Sequence, residues 1–265
     1  MQIALTIAGS DSGGGAGIQA DLKTFHQFGV HGVSVITAVT AQNTLGVRAV
    51  HAVPPDVVEA QAAAIAEDLP PAAVKTGMLA TAALVRLVAA LVDRHGWRRY
   101  VLDPVMVATS GDRLLDRDAE ATIRELLVPR ATLVTPNLDE AGILAGLPVR
   151  DPDSMARAGE RILGLGAAAA LVKGGHLDEL GMVDVLVTSA GVREFRHARI
   201  ATTSTHGTGC TLSAAITAGL ALGRPLDAAV PDALDFVHRA IAAAPGLGRG
   251  HGPLAHGVAV RGERG

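Results

Sequence analysis

Five polar side chains follow short apolar runs of the sequence, at positions where they could carry chemistry. They are Asp11, Gln42, Asp103, Asn137 and Lys173. In open α/β sheets, ligands bind in the crevice beyond the carboxyl ends of the strands. Carboxylate and amide oxygens suit divalent cations, and a lysine ammonium is a common partner of phosphate. The sequence therefore predicts that these side chains lie near one ligand site.

A glycine-containing cluster, Thr205–Cys210, precedes an apolar helical run over Leu212–Leu222. Glycine leaves the backbone N–H groups uncovered. At a helix N-terminus such N–H groups face an anion and are aided by the helix dipole. The cluster favours an anion hole, although an ordinary capped helix start remains open for this motif by itself.

Two further motifs could serve the same anion. Asn137 and Glu140 stand three residues apart at a predicted helix start, a spacing that suits a hydrated Mg²⁺ near phosphates. The same pair is also typical of an asparagine N-cap with glutamate at the third helical position. The segment Lys173–His176 puts an ammonium beside bare glycines at a strand end, where it could bind phosphate or be a solvated turn lysine.

An earlier glycine cluster leads into Gly15–Ala20, which satisfies the loose G-x-G-x-x-A pattern of a dinucleotide-binding turn. The acidic residue expected about 20 residues later to hold a ribose is missing, because the next acid after Asp21 is Asp56. A Walker-type phosphate loop is excluded because the chain contains no Gly-Lys pair. The remaining interpretations are a tight turn and a loop whose backbone approaches a substrate.

Short apolar strands alternate with amphipathic helices along the chain, which predicts an α/β fold with a mainly parallel sheet covered by helices on both faces. The predicted parallel strands are Ile3–Ala8, Gly32–Thr40, Ala72–Lys75, Tyr100–Leu102, Leu133–Thr135 and Ala168–Val172. The predicted helices are Ile18–Phe28, Val57–Leu69, Leu84–Arg94, Gly207–Leu222 and Ala228–Ala243. An antiparallel hairpin at one edge is predicted for Val183–Thr188 and Val192–His197.

Composition bounds the class of protein. The chain has 265 residues, of which 49% are hydrophobic and 18% charged, and this favours a packed core over disorder. The net charge of −3, without a run of lysine or arginine, gives no sign of nucleic-acid or anionic-membrane binding. No apolar stretch reaches about 18 residues, which predicts no membrane-spanning helix. With one cysteine, Cys210, and no basic segment before the first strand, we expect a cytoplasmic protein.

Taken together, the motifs resemble the ribokinase-like superfamily, and most closely the hydroxymethylpyrimidine/phosphomethylpyrimidine kinases of thiamine biosynthesis. The matching segments are Ala8–Asp11, Gly14–Phe25, Ser34–Ala38, Ala41–Thr44, Lys75–Leu79, Asp103–Met106, Lys173–His176, Thr205–Cys210 and Gly250–Pro253. The resemblance covers about residues 2–256 in order. It implies a ribokinase-like three-layer α/β/α fold in a single domain over 1–256. The tail over 257–265 matches nothing in the family, and we expect it to be disordered.

The resemblance also implies a function. The family transfers phosphate from ATP with Mg²⁺, first to the hydroxymethyl group of 4-amino-5-hydroxymethyl-2-methylpyrimidine and then to the resulting monophosphate. A homodimer is expected, and whether K⁺ is needed as well is left open. The alternatives are a pyridoxal or pyridoxine kinase, whose substrates also carry a ring hydroxymethyl group, and a non-catalytic nucleotide-binding regulator on the same fold.

Site residues carry over from the family one position at a time. The implied catalytic residues are Cys210, Lys173, Gly207 and Gly209. The implied substrate-binding residues are Gly9, Ala16, Asp21, Gln42, Met78 and Val105. Nucleotide binding is implied for Asn137, Lys173 and Thr208, and metal binding for Asp103 and Glu140.

Cys210 stands where the superfamily usually has an aspartate base. A thiol at a helix N-terminus, beside cations that bind phosphate, can have a lowered pKa. We therefore expect a Cys210 thiolate to remove the proton of the acceptor hydroxyl, with a small buried helix-start residue as the alternative.

Overall fold

The computed structural model describes residues 1–106, 117–175 and 182–261. Within these ranges, the chain forms nine strands and eight α-helices. The strands are β1 (Ile3–Asp11), β2 (His31–Asn43), β3 (Gly46–Ala52), β4 (Ala73–Thr76), β5 (Tyr100–Leu102), β6 (Leu133–Val134), β7 (Ala169–Lys173), β8 (Met182–Thr188) and β9 (Gly191–His197). The helices are α1 (Gly17–Gln27), α2 (Pro55–Asp68), α3 (Ala82–His95), α4 (Arg117–Thr122), α5 (Leu138–Ala145), α6 (Pro152–Gly164), α7 (Thr208–Ala221) and α8 (Leu226–Ala242).

The strands form one sheet in the order β3-β2-β1-β4-β5-β6-β7-β8-β9. The six central strands, from β2 to β7 in that order, run parallel, while β8 and β9 form an antiparallel hairpin at one edge. The α/β class, the mainly parallel sheet and the edge hairpin are thus confirmed. All the carboxyl ends of the parallel strands lie at the same edge of the sheet, where they can deliver side chains to one site.

The opposite edge carries the antiparallel strand β3, which the pattern of the sequence does not predict. Its residues are half-buried or exposed along the whole strand. A strand without a buried face shows no alternation of apolar and polar residues, because nothing requires one face to be apolar. Only its pairing with β2 makes it a strand.

Alternate residues of the central strands point into two different helical layers. Ala4 of β1 packs with α1, α7 and α8 on one face, whereas Leu5 and Ile7 pack with α2 and α3 on the other. Val101 of β5 packs toward the first layer, and its neighbours in that strand toward the second. This two-residue period produces the expected three layers, helix on sheet on helix.

The last described residues, 257–261, lie against α8. The N–H of Val258 donates to the carbonyl oxygen of Ala255, and a guanidinium nitrogen of Arg239 donates to the carbonyl oxygen of Ala259. The tail residues 262–265 lie outside the described part of the chain, so the disorder expected over 257–265 stays a prediction. Among the residues that the structure describes, no helix combines the length and apolar character needed to cross a membrane.

Candidate active site

The carboxylate of Asp11 holds the first glycine turn together at the end of β1. Its Oδ1 accepts the N–H of Gly13 at 2.8 Å, and its Oδ2 accepts the N–H groups of Gly15 at 3.0 Å and Ala16 at 2.9 Å. Burial would raise the pKa of Asp11, but hydrogen bonds from His206 and from this backbone lower it overall. The turn is therefore wrapped around an ionised carboxylate.

Several of the predicted substrate-binding residues meet beside this turn. A Cβ atom on Gly9 would lie 3.3 Å from the sulfur of Met78, so Gly9 and Met78 are in contact. The turn closes onto Gln42 at the end of β2, where the hydroxyl of Ser12 donates to the carbonyl oxygen of Gln42 at 2.8 Å. Ala16 is the N-cap of α1. The structure thus gathers Gly9, Ala16, Gln42 and Met78 around one loop.

Val105 and Asp21, the other predicted substrate-binding residues, differ in accessibility. Val105 is half-buried just beyond β5, the neighbour of the strand that leads to Met78. The side chain of Asp21 is fully buried: its Oδ2 accepts the hydroxyl of Thr6 at 2.6 Å and its Oδ1 accepts the ammonium of Lys75 at 2.8 Å. The direct contact between Asp21 and substrate that the family implies therefore stays a prediction.

The second glycine cluster packs against the first. Gly207 is the N-cap of α7 with a left-handed φ of +82°, and any Cβ there would collide with the carbonyl oxygen of Gly15. Only glycine satisfies both conditions. Helix α7 begins at Thr208, whose hydroxyl donates to the carbonyl oxygen of Thr205 at 2.8 Å. The first-turn N–H groups of Gly209 and Cys210 have no acceptor within the helix, so they are suited to an anion.

Lys173 and Asp103 form an ion pair beside this helix start. The Lys173 ammonium lies 3.1 Å from Asp103 Oδ1, and the hydroxyl of Ser213 in α7 donates to Asp103 Oδ2 at 3.2 Å. A Cβ atom on Gly209 would lie 3.1 Å from the Lys173 ammonium. Burial would lower the pKa of Lys173, but Asp103 and Glu140 raise it overall. The Lys173 ammonium therefore stays positively charged beside the N–H groups at the start of α7.

Asn137 and Glu140 form a capping box at the start of α5. The side-chain oxygen of Asn137 accepts the Glu140 N–H at 2.9 Å, and Glu140 Oε2 accepts the Asn137 N–H at 2.8 Å. The structural interpretation of this motif is therefore confirmed. Burial raises the pKa of Glu140, Lys173 lowers it, and the nearby Asp103 raises it, with a net pKa of about 7.

Asp103 and Glu140 are the carboxylates for which the family resemblance implies metal binding. Among the described residues, no cluster of three or more histidine, cysteine or acidic side chains could hold a metal by itself. Mg²⁺ in phosphoryl-transfer sites needs only one or two carboxylates, since the remaining ligands are water and phosphate. Asp103 and Glu140 fit that role. Burial and the neighbouring Asp103 carboxylate disfavour the ionised form of Glu140, and a bound cation would stabilise that form.

The environment of Cys210 corrects one expectation. Burial raises the pKa of its thiol to about 12, although the nearby Lys75 ammonium and the backbone N–H of Gly17 both favour the thiolate. The lowered pKa expected from the helix start is therefore wrong. Loss of solvent around the thiolate outweighs the Lys75 charge and the Gly17 N–H together.

Lys75 and His206 are two buried residues near the site for which the sequence motifs predicted no role. Lys75 is fully buried within β4, and the sequence signal was available, since a charged residue inside a short apolar strand needs a buried partner. His206 precedes Gly207, and its Nε2 lies 2.9 Å from Asp11 Oδ2. No sequence pattern links Asp11 with a histidine 195 residues further along. His176 lies outside the described residues.

The phosphomethylpyrimidine kinase family model matches residues 11–255 of the chain. A hydroxymethylpyrimidine/phosphomethylpyrimidine kinase of Rhizobium meliloti is 52% identical over 257 residues, covering 96% of this chain and 96% of the relative.

Two solved structures are similar over nearly their whole length. The ADP complex of Bacillus subtilis pyridoxal kinase superposes with a TM-score of 0.90 at 39% identity, covering 97% of both chains. The phosphomethylpyrimidine kinase of Clostridium difficile superposes with a TM-score of 0.82 at 42% identity, covering 91% of this chain and 100% of that one. Both neighbours share the three-layer arrangement with this chain.

Proposed function

The chain belongs to the phosphomethylpyrimidine kinase family, and from this premise we propose how its site works. It is a phosphotransferase of thiamine biosynthesis that uses ATP. We propose that it phosphorylates the hydroxymethyl group of 4-amino-5-hydroxymethyl-2-methylpyrimidine, hereafter hydroxymethylpyrimidine, and then converts the monophosphate to the diphosphate. The observation that carries the proposal is the contact between two glycine turns. One turn lies among the predicted substrate-binding residues, and the other lies at the start of α7 beside Lys173.

The anion hole acts mainly by position and charge. Phosphoryl transfer asks little covalent work of the protein and depends on alignment and on charge stabilisation. In our proposal the N–H groups of Gly207, Gly209 and Cys210 hold the γ-phosphate of ATP, with Thr208 in the same turn. The Lys173 ammonium, kept charged by Asp103, offsets the charge of the phosphates.

Asp103 and Glu140 would hold Mg²⁺, with Asn137 orienting one of its water ligands. The ion would supply positive charge at the phosphates. Because burial holds the pKa of Glu140 at about 7, cation binding would displace a proton from this carboxyl at neutral pH.

The substrate is placed by the residues around the first glycine turn. The Gln42 amide offers a donor and an acceptor, which match the ring nitrogen and the amino group of an aminopyrimidine. Met78 and Val105 lie beyond adjacent strands and would cover the ring. We further propose, from the family resemblance, that the protein is a cytoplasmic homodimer, which light scattering on the purified protein would test.

We predict that the purified protein, given ATP and Mg²⁺, converts hydroxymethylpyrimidine to its monophosphate and then to its diphosphate. Mass spectrometry over the course of the reaction checks both steps. Pyridoxal is the comparison substrate, since pyridoxal kinases share this fold and pyridoxal also carries a ring hydroxymethyl group. Phosphorylation of pyridoxal alone would contradict the proposed function.

We predict that Gln42→Leu weakens substrate binding by about 1–3 kcal/mol, because the polar edge of the pyrimidine is then buried without partners. The affinity for ATP should stay nearly unchanged, because Gln42 lies on the substrate side. Calorimetry with each ligand separately measures both effects. An equal loss for the two ligands would point to a folding defect.

A further inference from the structure

The amide of Gln42 lies between two groups whose hydrogen-bonding capacity is already committed. Its Nε2 is 3.4 Å from Nε2 of His206, and its Oε1 is 3.2 Å from the hydroxyl oxygen of Thr40. An amide nitrogen can only donate and an amide oxygen can only accept. The order of donor and acceptor that Gln42 presents to a ligand therefore depends on what His206 and Thr40 require.

His206 must donate from Nε2. That nitrogen lies 2.9 Å from Oδ2 of Asp11, and a carboxylate can only accept. Asp11 is ionised, since His206 and the loop N–H groups lower its pKa against the effect of burial. With a hydrogen on Nε2, His206 has no lone pair there for the amide N–H₂ of Gln42, so two donors would face each other at 3.4 Å.

The hydroxyl of Thr40 requires a hydrogen-bond donor from Gln42, whereas His206 requires an acceptor. The Thr40 hydroxyl donates to the carbonyl oxygen of Ser10 at 2.8 Å, which uses its single hydrogen. The lone pairs of the hydroxyl oxygen remain, so this oxygen can accept from the amide nitrogen of Gln42. A half-turn of the amide removes both conflicts at once. It brings the oxygen to His206, whose Nε2 hydrogen can be shared between Asp11 and the amide, and it brings the nitrogen to Thr40.

We propose that Asp11, His206 and Thr40 are positioning residues that fix the Gln42 amide with its oxygen toward His206 and its nitrogen toward Thr40. This inference rests on the proposed function. The amide oxygen keeps a second lone pair and the nitrogen keeps a second hydrogen for the substrate. Gln42 then presents an acceptor to the substrate on the side of His206 and α7, and a donor on the side of Thr40.

This order sets the direction of the pyrimidine ring. The amide oxygen accepts from the 4-amino group, and the amide nitrogen donates to the adjacent ring nitrogen. The hydroxymethyl group is attached to the ring carbon on the other side of the amino group, so it lies toward His206 and Gly207. The orientation of one amide thus directs the reacting oxygen toward the anion hole.

The neighbours of His206 keep the imidazole in place. The backbone N–H of His206 donates to the carbonyl oxygen of Gly252 at 3.1 Å, and a Cβ atom on Gly15 would lie only 2.6 Å from Cδ2 of the His206 ring. His206 therefore links the first glycine turn to the start of α7. It also forms an isolated β-bridge with Pro253. A ring packed this closely has little freedom to change its donor direction.

The test uses an analogue with the reversed hydrogen-bond order. In the 4-oxo analogue of hydroxymethylpyrimidine, position 4 accepts and the ring nitrogen donates. The measured quantity is the ratio of kcat/KM for the amino substrate to kcat/KM for the oxo analogue. We expect a ratio of about 10²-fold or more in the unmodified protein, since both hydrogen bonds are mismatched with the analogue.

In His206→Phe, which keeps a flat ring without a donor, the amide is free to turn and the ratio should fall at least about tenfold. Thr40→Val, close in volume but without the acceptor, should lower the ratio in the same direction and serves if His206→Phe does not fold. His26→Phe, the same replacement at an exposed helix position, is the matched control and should leave the ratio unchanged.

The outcomes separate the two claims. A folded His206→Phe or Thr40→Val that slows both substrates equally, with the ratio unchanged, would overturn the positioning role while leaving the proposed function intact. An unmodified protein that turns over neither pyrimidine would overturn the proposed function and this inference together. A lowered ratio in both variants, with the ratio of His26→Phe unchanged, supports the inference.

Discussion

Cys210→Ala is expected to slow phosphorylation of the hydroxymethyl group by about 10²–10⁴-fold and that of the monophosphate only slightly. An alcohol is a poor nucleophile until its proton leaves, and we propose, from the family resemblance, that the small thiolate fraction of Cys210 takes that proton. The second acceptor is a phosphate oxygen that is already charged and needs no base. The substitution keeps the backbone N–H of residue 210, so the anion hole is retained.

The pH dependence of the first step follows from the same group. Because burial raises the pKa of Cys210 to about 12, the thiol is protonated at pH 7, and the thiolate fraction grows about tenfold per pH unit up to pH 9. The hydroxymethyl step of the unmodified protein should therefore rise steeply over this range. In Cys210→Ala the rise should disappear.

Single-turnover rates on the alcohol and on its monophosphate measure the two steps separately, with the second step as the internal control. Cys210→Asp restores the base that the superfamily usually has, and recovery of part of the first step would support the assignment. Equal slowing of both steps by Cys210→Ala, or a flat pH profile of the first step, would mean that the thiol serves only as part of the helix start.

Lys75→Met is expected to lower the free energy of unfolding by about 3–5 kcal/mol. The ammonium of Lys75 and the carboxylate of Asp21 are 2.8 Å apart, and both side chains are fully buried. Burial would lower the pKa of Lys75, but Asp21, Cys210 and Asp103 raise it overall, so the lysine stays charged. Without it, the carboxyl of Asp21 is left in the core with only the hydroxyl of Thr6.

Urea unfolding measures this effect, and an exposed pair is the matched control. Arg94 and Glu59 are 2.6 Å apart but about half-exposed, so Arg94→Met should cost no more than about 1 kcal/mol. The double variant Lys75→Met with Asp21→Leu should recover most of the loss, because it removes both charges from the core. A loss for Lys75→Met no larger than that for Arg94→Met would contradict the buried-pair account.

Much of the fold could be predicted because local patterns carry it. Tyr100–Leu102 is a strand with the predicted bounds, and the hairpin of β8 and β9 differs from prediction by one residue at the start of each strand. Apolar alternation, glycine turns and cap residues act over a few positions, so they can be recognised without the rest of the chain. Strand β3 could not be recognised, because its exposed residues show no such pattern.

The amino-acid sequence by itself determined the α/β class, the family and which polar residues follow the parallel strands. Only the tertiary structure brought Asp11 to His206 and Asp21 to Lys75, pairs that stand 195 and 54 residues apart. The direction of the Cys210 pKa was likewise decided by packing, since its helix-start position favours the thiolate whereas burial opposes it more strongly. Desolvation and the commitment of hydrogen-bond donors depend on every group around an atom, and those groups come from distant parts of the chain.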